Sequence, residues 1–411
     1  MASTHPLLSY EDALARVLDH ALVRPTVTLP LERLLGHVLG QPIVATHDLP
    51  PFSSSAMDGY GLVQDDLDRI ARDPESALQV RGQIQAGDDP TDVAVRPGAA
   101  IRIFTGAPIP TGVTAVVPQE DADREGDTIR VRSSVKAGQH VRPGGEEFRS
   151  GDVIAKAGTV VTPGVVAAIG AAGFASAAAV QPHVAGLLVT GEELVPPGEP
   201  LRPGSIHDSN SFGIRAALES MGTTVRVVRV GDDAAATERA LAELMDTCSL
   251  VFTSGGVSVG DYDVVRPALD RLNVETVFWG VAIKPGKPIL FGLRGRAHDR
   301  TAVFGLPGNP VSVMVTLFVL GRPYILSCLG LDGRPRFDRV VLCSELRKKP
   351  GRLEFVPCRV RDGHAYPSVS RGSHMIGTLV GANALVLFPR EADRLEAGAE
   401  AEVLMMDWRL S

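Results

Sequence analysis

Cysteine is scarce in this sequence: Cys248, Cys328, Cys343 and Cys358 are the four among 411 residues. None stands in a C-x-x-C pair, which argues against a zinc knuckle or a dithiol redox motif. The N-terminal Met-Ala-Ser-Thr-His-Pro has no basic segment followed by an apolar core, so no secretory signal is expected. Long apolar runs are missing as well; the richest, Val311 to Leu320, is too short to span a bilayer. Basic excess is absent, since the formal charge is −7, whereas a nucleic-acid binder carries a basic face or stripe. The local cluster Arg347-Lys348-Lys349 reads as a solvated loop. Neither H-E-x-x-H nor a nicotinamide-binding fingerprint occurs. The expectation is a protein of the reduced cytoplasm, with neither membrane nor nucleic acid as partner.

What is there suits a large globular chain. Hydrophobic residues make up 44% and charged ones 22%, close to ordinary usage. At roughly 100–200 residues per domain the length implies about two to four domains. Ser9-Tyr10-Glu11-Asp12 resembles a capping box with Asp for Glu, and Leu14, Val17, Leu18 and Ala21 then share a helical face that ends at Pro25. From Gln41 to about Val141, short apolar runs alternate with Gly, Pro and Asp, as in a β-rich domain. The Ala/Gly-rich stretch Thr162 to Val180 reads as a tightly packed helix and turn near a domain boundary.

From His183 the rhythm is regular. Val184–Val189, Val225–Val230 and Leu250–Thr253 read as buried strands, and Ser211–Met221 and Ala234–Met245 as helices. That order predicts a three-layer α/β domain with a parallel-rich sheet covered on both faces. After Arg322-Pro323 short strands return, predicting a small β domain without helix at residues 336–411.

In an open parallel sheet, ligands sit at the C-terminal ends of strands, and three loops fall there. The first is Thr190-Gly191-Glu192-Glu193. The second runs from Thr253 to Asp263, and its Ser254, Gly255, Gly256 and Ser258 suit an oxyanion. Glycines let backbone N–H groups approach a ligand, hydroxyls add donors, and a helix expected near Val264 favours negative charge. The Gly-Lys-Ser/Thr ending of a P-loop is lacking. The bland alternative is a tight strand-to-helix turn. Asp261 tips the balance, because a carboxylate in an anion loop requires a cation between them, and Mg²⁺ uses one or two carboxylates plus substrate oxygens. Glu193 and Asp232 follow strands of the same sheet and complete a candidate metal set with Asp261. The third loop is Leu306-Pro307-Gly308-Asn309-Pro310, with Asn309 as N-cap and Pro310 as first helical residue. Lys284-Pro285-Gly286-Lys287-Pro288 adds two ammonium groups on a rigid turn, suited to phosphate.

Longer motifs carry a family resemblance. They are Pro50-Pro51-Phe52 with Ser55-Ala56-Met57-Asp58-Gly59-Tyr60, Arg102-Ile103-Phe104-Thr105-Gly106-Ala107-Pro108, Ser254–Asp261, Ile283–Pro288 and Leu306–Ser312. Over nearly its whole length the chain resembles the molybdopterin molybdenumtransferases, the MoeA family, whose relatives include the E domain of gephyrin. The resemblance implies a composite N-terminal domain (residues 1–45 with 143–180), an inserted β domain (46–142), a molybdopterin-binding α/β domain (181–326) and a C-terminal β-barrel (332–411). It implies a homodimer that inserts molybdenum from molybdate into adenylylated molybdopterin, releasing AMP with Mg²⁺ assistance. Molybdopterin adenylyltransferase and molybdoenzymes are the implied protein partners. Asp58, Thr105, Glu193, Asp232 and Asp261 match functional positions, and Ser373, in Gly372-Ser373-His374, matches a segment near the cleft. The chain departs from the family pattern at Glu146-Glu147, where Gly-x-Asp is usual, at Glu192, and at Gly61 in place of alanine. Two other readings stand beside this one: the related adenylylation of molybdopterin, and a gephyrin-like protein-binding scaffold.

Overall fold

The computed structural model of the chain describes residues 7–256, 264–296 and 300–410. Helix α1 (Tyr10–Asp19) starts at Ser9, whose Oγ accepts the Asp12 N–H at 3.0 Å. Asp12, one methylene shorter than Glu, takes the Ser9 hydroxyl at 2.8 Å. Buried Tyr10, Ala13 and Val17 turn the helix toward the core of the α/β unit. There the Tyr10 hydroxyl donates to the Val319 carbonyl at 3.3 Å, and its ring meets Phe355 edge-on at 5.1 Å.

The chain then leaves that core. Thr26–Pro30 and Ile43–Val44 lead outward to a mixed sheet of six strands, ordered Val113–Pro118, Gly59–Val63, Ala99–Ile103, Ala77–Ile84, Thr128–Val131, Ala122–Glu125. Helix α2 (Gln64–Arg72) covers it, burying Leu67 and Ile70 against Tyr60, Leu62 and Leu78. On the way back Val153–Ala155 pairs with Ile43–Val44 and Ser176–Val180 with Thr26–Pro30, both antiparallel. Between them lies helix α3 (Pro163–Ala171), capped by Thr162. The helical reading of residues 162–180 therefore holds only to Ala171. Gly173 sits at φ 81°, a left-handed stop. Beyond it the small Ala177 and Ala179 are buried in a strand, so cross-strand pairing outweighs their helix propensity.

The α/β unit has a six-stranded sheet ordered Thr224–Val230, Val184–Thr190, Leu250–Ser254, Thr301–Leu306, Leu290–Arg294, Glu275–Trp279. The first four strands are mutually parallel, and Leu290–Arg294 runs antiparallel to both of its neighbours, Thr301–Leu306 and Glu275–Trp279. Leu290–Arg294 and Thr301–Leu306 are joined by too short a segment for a crossover, so that edge must turn back as a hairpin. Alternation along Val184–Thr190 separates the two layers. Leu187 and Val189 pack with Ile214 and Leu218 of α4 (Asn210–Ser220). Leu188 packs on the other face with Leu241 and Leu244 of α5 (Ala234–Thr247) and Val265 and Leu269 of α6 (Val265–Arg271).

The helix beginning at Pro310 runs past the apolar stretch that ends at Leu320. α7 (Pro310–Thr316) passes through a π-helical turn, Leu317–Gly321, into α8 (Arg322–Cys328), a continuous run of 19 residues. Pro323 has no N–H to give, and the wider turn just before it lets the backbone repartner without breaking the helix. This run is long and apolar enough to cross a membrane, but most of it is buried inside the fold.

The last unit is a closed barrel. Leu353–Arg361 pairs with His364–Pro367 and Ala384–Phe388; Glu400–Met405 pairs with Ala384–Phe388 and Phe337–Leu342; and Phe337–Leu342 reaches His364–Pro367. Ile283–Lys284 of the α/β unit adds to its strand Leu353–Arg361 in parallel. The chain end returns to the α/β unit, where Trp408 meets Phe318 edge-on at 4.8 Å.

Candidate functional site

Three of the loops singled out in the sequence meet at the C-terminal ends of the parallel strands. Thr190 is buried at the end of its strand. Gly255 and Gly256 have φ 93° and 68°, the region that favours glycine, and the Gly255 N–H donates to the Leu306 carbonyl at 3.2 Å. A methyl at Gly256 would lie 2.5 Å from Val265 Cγ2 and 3.5 Å from Thr190 Oγ1. One at Gly308 would lie 3.9 Å from Gly255 Cα. Thr190, Ser254–Gly256 and Pro307–Gly308 are thus one surface. Asn210, the first residue of α4, joins it by donating Nδ2 to the Gly308 carbonyl at 2.7 Å.

The carboxylates lie on two adjoining loops, Glu193 after Val184–Thr190 and Asp232 after Thr224–Val230. Glu193 folds back over Gly191, where a Cβ would stand 2.6 Å from its Oε2. Asp232 Oδ2 accepts the Glu192 N–H at 3.4 Å. Asp261 and Ser258 lie outside the described residues. Among the described residues no group of three His, Cys, Asp or Glu side chains forms.

A cavity of about 260 Å³ opens between the α/β unit and the barrel. Lys284, Lys287 and Asn309 line one side, and Arg352, Glu354, Arg371 and Ser373 the other. Four cations therefore face one carboxylate. Glu354 is buried; its Oε1 lies 3.1 Å from Lys284 Nζ and 3.8 Å from the Arg371 guanidinium, and its Oε2 has no hydrogen-bond partner. Arg352 is held by donation to the Ile283 carbonyl at 3.3 Å, while Lys348 Nζ donates to the Arg352 carbonyl at 2.8 Å. Pro310 opens α7 as expected, and Asn309 has the extended backbone of an N-cap. Its side chain makes no cap bond, however, because the amide donates to Ser373 Oγ across the cavity at 3.0 Å.

Asp58 and Thr105 form a separate unit on the outlying sheet. Asp58 Oδ1 accepts both the Thr105 N–H and the Thr105 hydroxyl at 2.7 Å. The backbone bond, then the hydroxyl bond, hold this exposed carboxyl below its ordinary range. Arg102 stacks over Tyr60 and Phe104, 5.0 Å from each ring centroid.

Sequence reading missed Asn210, Arg352, Glu354 and Arg371. Glu354 had one usable signal, a carboxylate inside the apolar strand Leu353-Glu354-Phe355-Val356. The arginines had none, since they converge with Lys284 only when the barrel docks.

Comparison with known proteins agrees with this arrangement. Family models match in chain order: the MoeA N-terminal region (domain I and II) over residues 8–173, a probable molybdopterin binding domain over 186–327, and the MoeA C-terminal region (domain IV) over 339–406. Molybdopterin molybdenumtransferase 2 of Mycobacterium tuberculosis is 35% identical over 387 residues, covering 92% of this chain and 94% of the relative. Molybdopterin molybdenumtransferase of Haemophilus influenzae is 33% identical, covering 95% and 97%. The crystal structure of the molybdopterin biosynthesis MoeA protein from Pyrococcus horikoshii superposes with a TM-score of 0.81 at 27% identity, over 98% of this chain and 100% of that one. By sequence, by domain order and by fold, the chain belongs to the MoeA family of molybdopterin molybdenumtransferases.

Proposed function

We propose that this chain is a transferase that inserts molybdenum from molybdate into adenylylated molybdopterin and releases AMP. The observation that carries the reading is the cavity in which Lys284, Lys287, Arg352 and Arg371 surround a space of about 260 Å³. Such a site suits a tetrahedral oxyanion, because preorganised cations in a partly enclosed space offset its charge without reorganising. The glycine surface of Thr190, Ser254–Gly256 and Gly308 suits the phosphates of the pterin substrate, since glycine lets backbone N–H groups approach them closely.

Two neighbouring loops would hold Mg²⁺ in this reading. Glu193 and Asp232 offer hard carboxylate oxygens, and with Asp261 they would hold the ion beside the phosphates. When bound, it would neutralise the charge of the pyrophosphate linkage. The chain's own residues do the rest of the work in this proposal. The two lysines and two arginines hold the oxyanion, Ser373 and Asn309 orient it by hydrogen bonds, and the glycine loop fixes the phosphates. We further assign residues 1–45 with 143–180, 46–142, 181–326 and 332–411 as domains, a homodimer as the working form, and Asp58 and Thr105 as contributors to a cleft.

Rapid mixing of the purified protein with adenylylated molybdopterin and molybdate tests the reading. AMP release that depends on molybdate is the expected result. Consumption of ATP without molybdate would instead assign the adenylylation step.

A further inference from the structure

A second polar cavity, of about 30 Å³, lies at the opposite, N-terminal edge of the central sheet. Its floor is set by three residues that each immediately precede a parallel strand: His183 before Val184–Thr190, Ser249 before Leu250–Ser254, and Arg300 before Thr301–Leu306. Arg24 closes it from the side, with Tyr324 and Cys328 of α8. This is where the chain crosses twice between the α/β unit and the N-terminal half. Arg24 Nε donates to the Gln181 carbonyl at 3.0 Å, the Arg24 N–H to the Cys328 carbonyl at 2.9 Å, and the Gln181 N–H to the Pro25 carbonyl at 2.9 Å.

The polar groups here do not balance. His183 is 3% exposed, its Nδ1 lies 3.0 Å from Ser249 Oγ, and its Nε2 has no partner. Arg300 Nε is buried and also without a partner. No described carboxylate lines the cavity. Burial depresses the Arg24 guanidinium, as an uncompensated charge requires. Burial also pushes the Cys328 thiol up to about 11 and raises the Tyr324 phenol further, so neither supplies a negative charge. Two guanidiniums and an orphaned imidazole nitrogen therefore face one polar space, and the buried nitrogens are costly to leave without partners. The space is large enough for an ordered water or a small inorganic ion.

We propose that this cavity binds a small inorganic anion, which bridges Arg24 to Arg300 and ties the outgoing and returning chain to the base of the sheet.

Crystals grown or soaked in bromide test this directly, with an anomalous peak in the cavity as the expected result. In solution, replacing gluconate by chloride at constant ionic strength should raise Tm saturably by about 2–4 °C, and Arg300→Gln should abolish the rise. An ordered water in place of bromide overturns the proposal. So does a rise that survives Arg300→Gln.

Discussion

Lys284 Nζ lies 3.1 Å from the buried Glu354 carboxylate, and this pair joins the α/β unit to the barrel across the oxyanion cavity. Lysine is partly exposed and glutamate is not, so the two ends are unequal. Losing Lys284 strands a buried charge and leaves the more distant Arg371, at 3.8 Å, as its ion-pair partner. Lys284→Met should therefore cost about 1–2 kcal/mol. Lys284→Met with Glu354→Gln should recover most of that, because no buried charge remains. Urea denaturation of the four proteins of the cycle measures it. Additive losses would mean that the pair is not coupled.

Glu193→Gln and Asp261→Asn should leave the fold intact and slow AMP release by roughly a hundredfold. Titrating Mg²⁺ into each variant separates weak metal binding from slow chemistry. Normal turnover in both would remove these carboxylates from the site.

Gly286 has φ 108°, and a Cβ there would lie 2.2 Å from Thr316 Cγ2 of α7. Gly286→Ala should destabilise by about 1–3 kcal/mol and weaken molybdate saturation, because the Lys284–Pro288 turn must shift. Gly377→Ala, where a Cβ meets nothing within 4 Å, should stay within roughly 0.5 kcal/mol. Thermal melts and molybdate titrations check both.

Asp58 is held below its ordinary value of 3.8 by Thr105. Its contribution to stability is present above that unfolded value and is lost as pH falls through the lower folded one. Thr105→Val removes the hydroxyl donor and keeps the backbone bond, so the Asp58 pKa should rise part of the way back. Carboxyl-carbon NMR titration reads it, and an unchanged midpoint would show that the hydroxyl bond has no weight.

His183 is pushed down to about 3 by burial and then by Arg24, from an ordinary 6.5. The unfolded state binds the extra proton between those values, so stability should fall as pH drops through that window, with a slope approaching about 1.4 kcal/mol per pH unit. His183→Gln should flatten the curve. Denaturation midpoints from pH 7 to pH 4, taken in gluconate, test it.

Much of this was legible in the residues. Parallel strands buried on both faces read as continuous apolar runs, and so Val184–Val189 and Leu250–Thr253 stand out, with the loops that follow them. Ser176–Val180 does not stand out, because its alanines favour helix locally and only the distant Thr26–Pro30 makes them a strand. The glycine surface is visible as a motif, since Gly255 and Gly256 answer a backbone need within one turn. Arg352, Glu354 and Arg371 answer a need that exists only between two units, more than 60 positions from Lys284 in the chain, and no local pattern announces it.

The pairing of Ile283–Lys284 with the barrel strand Leu353–Arg361 has a last consequence. The oxyanion cavity is a seam, not a hollow within one body. A compound that filled it would grip both sides at once, acting as a molecular rivet. Screening by thermal stabilisation should find such compounds readily, and they should slow any movement of the barrel against the sheet.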